Sequence, residues 1–261
     1  MKQGSLIVVG TGIRTVGQLT IESIAWMKRA DQVLYVVSDP IAESLILSLN
    51  SNAESLQKYY VPGKSRLETY QDFVSRIMES VRAGKQTCAA FYGHPGVFVL
   101  PSHVAIRQAR SEGYEARMLP GVSAEDCLFA DLGVDPASSG CQAYEATDFV
   151  MHRRRIDPSS SVILWQVGVV GDWTFQHTGY SNAGLPLLVE KLLEYYRPEQ
   201  TVVVYEAAVL PGCEPVIRPV PLCQLPAAPL SSASTLYIPP AQTPTVDLVM
   251  YQRLGLLPPR G

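Results

Sequence analysis

The chain has 261 residues, of which 47% are apolar and 17% charged. That balance can build a sizeable core and excludes a disordered chain, and the length suits one large domain or two of ordinary size. The net charge of −3 excludes a global pull toward nucleic acid or an acidic membrane surface.

In chain order, the opening stretch MKQGSLIVVG lacks the long apolar region of a signal peptide. Its apolar part, residues 5–10 (SLIVVG), is a short run ended by glycine, the pattern of a strand buried on both faces. Residues 20–29 have helical spacing behind Thr20-x-x-Ser23, a capping box that lacks the usual glutamate. Residues 32–37 (QVLYVV) form a second strand, stopped by Ser38-Asp39-Pro40, and 41–49 a helix. Residues 67–83 form a longer amphipathic helix, with Phe73, Ile77 and Val81 four apart. A third strand at 86–92, a helix at 102–112 and a fourth strand at 114–119 follow. Pro120-Gly121-Val122-Ser123 breaks the chain, with Ser123 as N-cap and Glu125 and Asp126 favourable in the first turn of the next helix.

The second half is richer in strand and proline. Strands are expected at 162–167, 201–205 and 235–240, a helix at 185–196, and a proline-rich surface crossing at 222–229. His152-Arg153-Arg154-Arg155 is the densest basic cluster and has the composition of a solvated loop. Cys88, Cys127, Cys141, Cys213 and Cys223 are odd in number and widely spaced, with no CxxC pair and no metal-ligand spacing. Most are expected as small core residues of a reducing, cytoplasmic compartment, with no metal site. No apolar run reaches the roughly 18 residues of a membrane span, so no membrane partner is expected. Alternating strand and helix in the first half mark parallel α/β architecture. The expected organisation is two α/β domains, 1–119 and 120–241, with a tail at 242–261.

Strand ends in parallel sheets open onto ligand crevices, and two glycine turns stand at such ends. Gly10-Thr11-Gly12 lacks the third glycine of a dinucleotide fingerprint, since Thr15 occupies that place; a tight turn with no ligand accounts for it equally well. The stretch FYGHPGVF at 91–98 is more informative. Gly93 and Gly96 admit backbone conformations closed to other residues and a close ligand approach, and Pro95 fixes the shape between them. With no lysine and no phosphate-loop Ser/Thr, the turn suits a small zwitterion with an apolar or aromatic part. A rigid turn with Tyr92 and Phe98 in the core is the competing reading.

GTG at 10–12, YGHPGVF at 92–98 and PGVSAEDCLFADLG at 120–133 together resemble the tetrapyrrole-methylase-like (class III) S-adenosylmethionine (SAM) methyltransferases. GKSRLETY at 63–70, YEATDF, WQVGVVG and STLYIPP narrow the resemblance to the borosin peptide backbone N-methyltransferases, over nearly the whole chain. The resemblance implies two α/β domains with SAM in the cleft between them and S-adenosylhomocysteine as product. It further implies methyl transfer to backbone amides of a ribosomal precursor peptide, and a homodimer. It assigns Tyr92, His94, Val97, Ser123, Ala124, Gln166, Ala207, Ser234 and Thr235 to the cofactor, and Arg66, Tyr70, Tyr60 and Tyr92 to catalysis. The family carries a tyrosine where this chain has Gln57; that phenol's role is absent or supplied elsewhere, for instance by Tyr59.

The chemistry accounts for these residue types. An amide nitrogen is a poor nucleophile because its lone pair is delocalised into the carbonyl; its proton must leave and the charge on oxygen must be held. Arginine stays protonated and can hold an oxyanion. A phenol, with a pKa near 10, needs a nearby cation to ionise. Arg66 and Tyr70 are four apart, on one face if the segment is helical, so Arg66 is expected to lower the pKa of Tyr70. The chain ends in VDLVMYQRLGLLPPRG, with a short amphipathic segment at 246–257; the resemblance leaves two readings, an enzyme acting on a separate precursor chain, which is the preferred expectation, or the catalytic part of a longer fused protein. The competing functions are a precorrin or uroporphyrinogen methyltransferase of the same fold, and a non-catalytic SAM-binding subunit.

Overall fold

The computed structural model describes residues 4–37, 39–176 and 179–257; Ser38 of the expected stop signal and residues 258–261 of the tail lie outside the described residues. The chain divides into two compact units. The first takes in Met1–Val134, Gly171–Asn182 and Tyr205–Arg218, the second Asp135–Val170, Ala183–Val204 and Pro219–Gly261.

The first unit runs β1 (Ser5–Gly10), α1 (Thr15–Gln18), α2 (Ile21–Arg29), β2 (Gln32–Val36), α3 (Pro40–Leu49), β3 (Ala53–Ser55), α4 (Arg66–Arg82), β4 (Gln86–Phe91), α5 (Leu100–Ser111), β5 (Glu115–Met118) and α6 (Ala124–Leu132). Its sheet has the order β3-β2-β4-β1-β5, and every pairing is parallel. Strand alternation sorts β1 between two cores. Leu6 and Val8 join Phe73, Ile77 and Val81 of α4, whereas Ile7 and Val9 join Met27 of α2 and Ile46 of α3. Helices thus cover both faces, as a parallel sheet requires.

Local signals place these helices. The Thr20 hydroxyl accepts from the Ser23 amide at 3.1 Å and donates to the Ser23 hydroxyl at 2.8 Å, so serine completes the imperfect capping box. Asp39 caps α3 at the Ala42 amide. Ser123 and Asp126 form a full capping box on α6, and Gly133 ends that helix in the left-handed region.

The second unit contains α7 (Pro136–Ser139), β6 (Cys141–Glu145), α8 (Ala146–Met151), β7 (Ser161–Trp165), α9 (Leu185–Leu192), β8 (Thr201–Glu206), β9 (Val216–Pro221), β10 (Thr235–Ile238) and α10 (Leu248–Arg253). β8 runs on from this unit into the first at Tyr205, and β9 enters it from the first after Arg218. The sheet order is β6-β7-β10-β8-β9, with β7 parallel to β6 and antiparallel to β10. Its core gathers Val162 and Leu164 with Leu185, Leu188 and Leu192 of α9.

Three expectations are corrected. Residues 222–229 do not simply cross the surface: Leu222–Ala227 is a 3-10 turn whose Leu222 and Leu225, three apart and so on one side, are fully buried in the second core. Of the five cysteines only Cys88 is buried, while Cys213 and Cys223 are exposed because they stand in loop and turn segments rather than on sheet faces. The basic cluster is more than a solvated loop: Arg154 pairs with Asp148 and lies over the Tyr144 ring at 5.0 Å. Within 246–257, α10 presents Leu248, Val249 and Met250 as exposed residues. Among the described residues no helix is long and apolar enough to cross a membrane.

Candidate active site

Three strand-end turns of the first unit meet as bare backbone. The turn after β1 and the turn after β4 bond reciprocally: the Gly12 amide donates to the Gly93 carbonyl at 3.2 Å and the Gly93 amide to the Gly12 carbonyl at 3.0 Å. Gly12 and Gly93 both have φ in the left-handed region, at 74° and 73°. A Cβ on Gly10 would sit 2.3 Å from the Gly93 carbonyl oxygen and 2.7 Å from Pro95 Cδ. One on Gly121, in the turn after β5, would sit 3.1 Å from both Gly10 Cα and the Gly93 oxygen. The carboxyl ends of β1, β4 and β5 therefore form a cradle of main chain.

The opening stretch supplies the frame of this cradle. The Tyr92 amide donates to the Val36 carbonyl, extending the ladder one residue past β4. His94 locks the turn: its Nδ1 accepts the Gly96 amide at 2.9 Å, and its carbonyl accepts the Val97 amide. Phe98 is half exposed, with φ 59°, so it is not a core residue. Burial pushes the Tyr92 phenol up to about 12, with Cys127 and Asp39 adding to the shift.

Ser123 and Ala124 come two and three residues after Gly121, and Ala207 follows β8; all three belong to the first unit. Beside them opens a cavity of about 340 Å3, lined in part by Arg14, Gln18, Val122, Asp126, Cys127 and Ala208. The Gln18 side chain joins its walls. Its Oε1 accepts the Ile13 and Arg14 amides, each at 2.8 Å, and its Nε2 donates to Cys127 Sγ at 3.4 Å. Sequence patterning did not single out Gln18, which stands in a short polar helix with no periodic signal.

A second cluster forms around Arg66, the first residue of α4. Its amide donates to the Trp173 carbonyl at 3.0 Å, its Nε to the Thr174 carbonyl at 3.2 Å, and its guanidinium lies 5.5 Å from the Tyr180 ring centre. The preceding segment pairs with the same arm, residues 171–176: the Gly63 amide donates to the Phe175 carbonyl and the Phe175 amide to the Lys64 carbonyl. Tyr60 stacks against Phe175 with ring centres 4.7 Å apart and meets Phe73 edge-on at 5.3 Å, while Tyr70 lies 6.1 Å from Phe73. Phe175 and Tyr180 escaped the sequence reading; three aromatics in the polar stretch WTFQHTGY were the available signal.

Arg66 does lower the pKa of Tyr70, as expected, but it does not decide the net shift. Burial is the larger effect and raises both Tyr60 and Tyr70; Arg66 opposes it without overcoming it, and Tyr180 adds to the rise. Both phenols are therefore neutral at physiological pH. The titratable groups that bear on Tyr92 are Cys127 and Asp39. Gln57 donates to the Val37 carbonyl and so ties its segment to the end of β2. Tyr59 packs edge-on to Phe73 at 6.2 Å.

Gln166, Ser234 and Thr235 belong to the second unit, which brings them side by side. Gln166 follows β7 with φ 60°, a left-handed conformation unusual for a residue with a side chain. The next amide, of Val167, donates to the Ser234 carbonyl at 3.0 Å. Ser234 is fully buried and its hydroxyl accepts the Ser231 amide; Thr235 opens β10.

The sequence profile of the tetrapyrrole (corrin/porphyrin) methylases matches residues 5–220. The chain belongs to this family. Among solved tetrapyrrole-methylase structures, uroporphyrin-III C-methyltransferase from Thermus thermophilus superposes with a TM-score of 0.64 over 99% of this chain and 98% of that one, at 20% identity. The same enzyme complexed with S-adenosyl homocysteine gives 0.61 over 90% and 92%, at 14% identity. These likenesses establish the tetrapyrrole-methylase fold. In sequence the chain is similar to a methyltransferase/ribosomally synthesized cyclic peptide dendrothelin A precursor from Dendrothele bispora, at 46% identity over 98% of this chain and 63% of that protein. It is equally similar to the omphalotin A precursor of Omphalotus olearius, at 46% over 98% and 63%. A type I borosin precursor from Serendipita vermifera is 41% identical over 98% and 64%. The chain thus spans just under two thirds of the length of these relatives.

Proposed function

We propose that the protein is a SAM-dependent methyltransferase that N-methylates backbone amides of a ribosomally made peptide. The observation that carries this reading is the Arg66 cluster: a guanidinium anchored at the start of α4, within electrostatic reach of two half-buried phenols, Tyr60 and Tyr70. The relatives whose names couple a methyltransferase to a cyclic peptide precursor support it.

Gly10 and Gly121 let the three turns pack main chain against main chain, since a side chain at either would collide with its neighbours, and the peptide groups at this strand end are proposed to meet the cofactor. Tyr92, His94, Val97, Ser123, Ala124 and Ala207 are the residues of the first unit proposed to hold SAM; Gln166, Ser234 and Thr235 are assigned to it by resemblance alone. SAM supplies an electrophilic methyl group when bound. The protein's own residues have the remaining work. Arg66 holds the peptide carbonyl oxygen, which gains negative charge as the N–H proton departs. Tyr70 accepts that proton, for which its phenol must first have lost its own. Tyr60, stacked on Phe175, closes the apolar wall and keeps water out. The bond formed is carbon to nitrogen, the bond broken carbon to sulfur, and S-adenosylhomocysteine is the product. We assign the protein in solution to a homodimer.

Incubation with SAM and a peptide ending in an apolar stretch, followed by fragmentation mass spectrometry, tests this. Methyl increments localised to backbone nitrogen are the expected outcome. Transfer to a uroporphyrinogen with none to peptide would overturn it.

A further inference from the structure

We propose that Gln18 is a positioning residue for the methyl donor, clamping the glycine turn after β1 onto helix α6. The inference rests on reading the chain as a SAM-dependent enzyme and goes beyond the residues that reading assigns.

The turn at 10–14 has no cap of its own. Arg14 occupies the N-cap position of α1 and makes no side-chain cap bond. Gln18, the last residue of that short helix, reaches back instead and takes both free amides on one oxygen. Its amide nitrogen then bonds Cys127, one turn into α6 and just after the capping box at Ser123. One side chain therefore joins the turn after β1 to the helix after β5, two of the three walls of the cradle. The third wall follows through main chain, because Gly12 exchanges both its bonds with Gly93.

The space around Gln18 is tailored to it. A Cβ on Gly12 would sit 2.5 Å from Gln18 Cβ, so the glycine admits the glutamine as well as the left-handed turn. Gln18 is half buried and lines the cavity that also exposes Val122 and Cys127. An aliphatic residue of the same length would keep the packing and drop all three bonds. The turn would then sample other conformations, and a ligand resting on its main chain would pay the ordering entropy on binding.

The test is calorimetry with S-adenosylhomocysteine on the full chain, comparing the unaltered protein with Gln18→Leu, Gln18→Glu and Cys127→Ala. Gln18→Leu is expected to bind about tenfold or more weakly, because the Ile13 and Arg14 amides lose their shared acceptor. Gln18→Glu keeps an acceptor for both amides and should recover most of the affinity; Cys127→Ala should show an intermediate loss. Hydrogen exchange at the Ile13 and Arg14 amides should quicken in Gln18→Leu while the β1 amides stay protected. In turnover, KM for SAM should rise with kcat and peptide KM little changed, a split that general destabilisation would not give. Equal binding by Gln18→Leu and the unaltered protein would overturn the assignment. Failure of the unaltered protein to bind would overturn the underlying reading instead.

Discussion

The guanidinium of Arg66 lies 5.5 Å from the ring centre of Tyr180, and the arm that brings Tyr180 there also accepts both the main-chain amide and Nε of Arg66 through Trp173 and Thr174. The arm is itself tied down. Asp172 accepts the Thr174 amide and hydroxyl, and the Tyr180 hydroxyl accepts the Gln176 amide at 3.0 Å. Arg66 is thus held in direction as well as in place, which an oxyanion-holding group requires. Tyr180→Leu should lower kcat for peptide methylation by about three- to tenfold and leave S-adenosylhomocysteine affinity intact. Steady-state kinetics beside calorimetry would check it.

Arg66→Ala should be far more damaging. Removing a preorganised donor to a developing oxyanion costs about 10²–10³ in rate, and Arg66→Lys should rescue little because lysine offers a point charge in place of a fork. Mass spectrometry of the peptide gives the rate. Turnover near normal in Arg66→Ala would remove the guanidinium from the mechanism.

The raised phenols fix a pH dependence. Tyr70 lies above its ordinary value of 10.0 because it is buried, so the ionised fraction grows throughout the neutral and mildly alkaline range. If Tyr70 accepts the amide proton, single-turnover rate should rise about tenfold per pH unit there and plateau only above about 10. Tyr70→Phe should abolish the slope with the rate. The same shift has a stability consequence. A group whose folded pKa is raised contributes stability below its unfolded value and loses it as pH climbs, so thermal unfolding midpoints should fall in the alkaline range and fall less in Tyr70→Phe.

Glu54 behaves in the opposite sense. It accepts from Arg76 and from Lys58 at 2.7 Å, and the hydrogen bond from Arg76 holds its carboxyl below the ordinary value of 4.5. Its contribution is present above that value and lost as pH falls through the lower folded one. Glu54→Gln should lower the unfolding midpoint near neutral pH, and the difference from the unaltered protein should shrink below about pH 4.

How far the sequence carried can be told residue by residue. β1, β2 and β4 are legible because a strand covered on both faces must be apolar throughout; Ser123 with Asp126 is legible because capping is local chemistry. β3, β6 and β9 are not. Ala53–Ser55 is three residues at a sheet edge, β6 has no buried residue, and β9 carries Pro219 and Pro221, which suit an edge. Arg66, Tyr60 and Tyr70 were reached through motif resemblance, and their electrostatic balance was missed because burial has no signature in spacing. Phe175, Tyr180 and Gln18 act through contacts that only the folded chain creates.

Gly10→Ala should cripple the protein structurally before any chemistry is asked of it. The added methyl would meet the Gly93 oxygen at 2.3 Å, and overpacking of this kind costs about 1–3 kcal/mol. A drop of several degrees in the unfolding midpoint is expected by differential scanning fluorimetry.

That crowded main chain also limits where selectivity can be written. Positions 10, 93 and 121 display only peptide groups, and peptide groups are the same in every protein that folds this way. On the proposed peptide chemistry, whatever sets this molecule's choice of acceptor apart from that of its porphyrin-directed cousins must therefore be encoded away from those turns, in stretches such as 56–70 and 171–176 whose side chains are free to diverge.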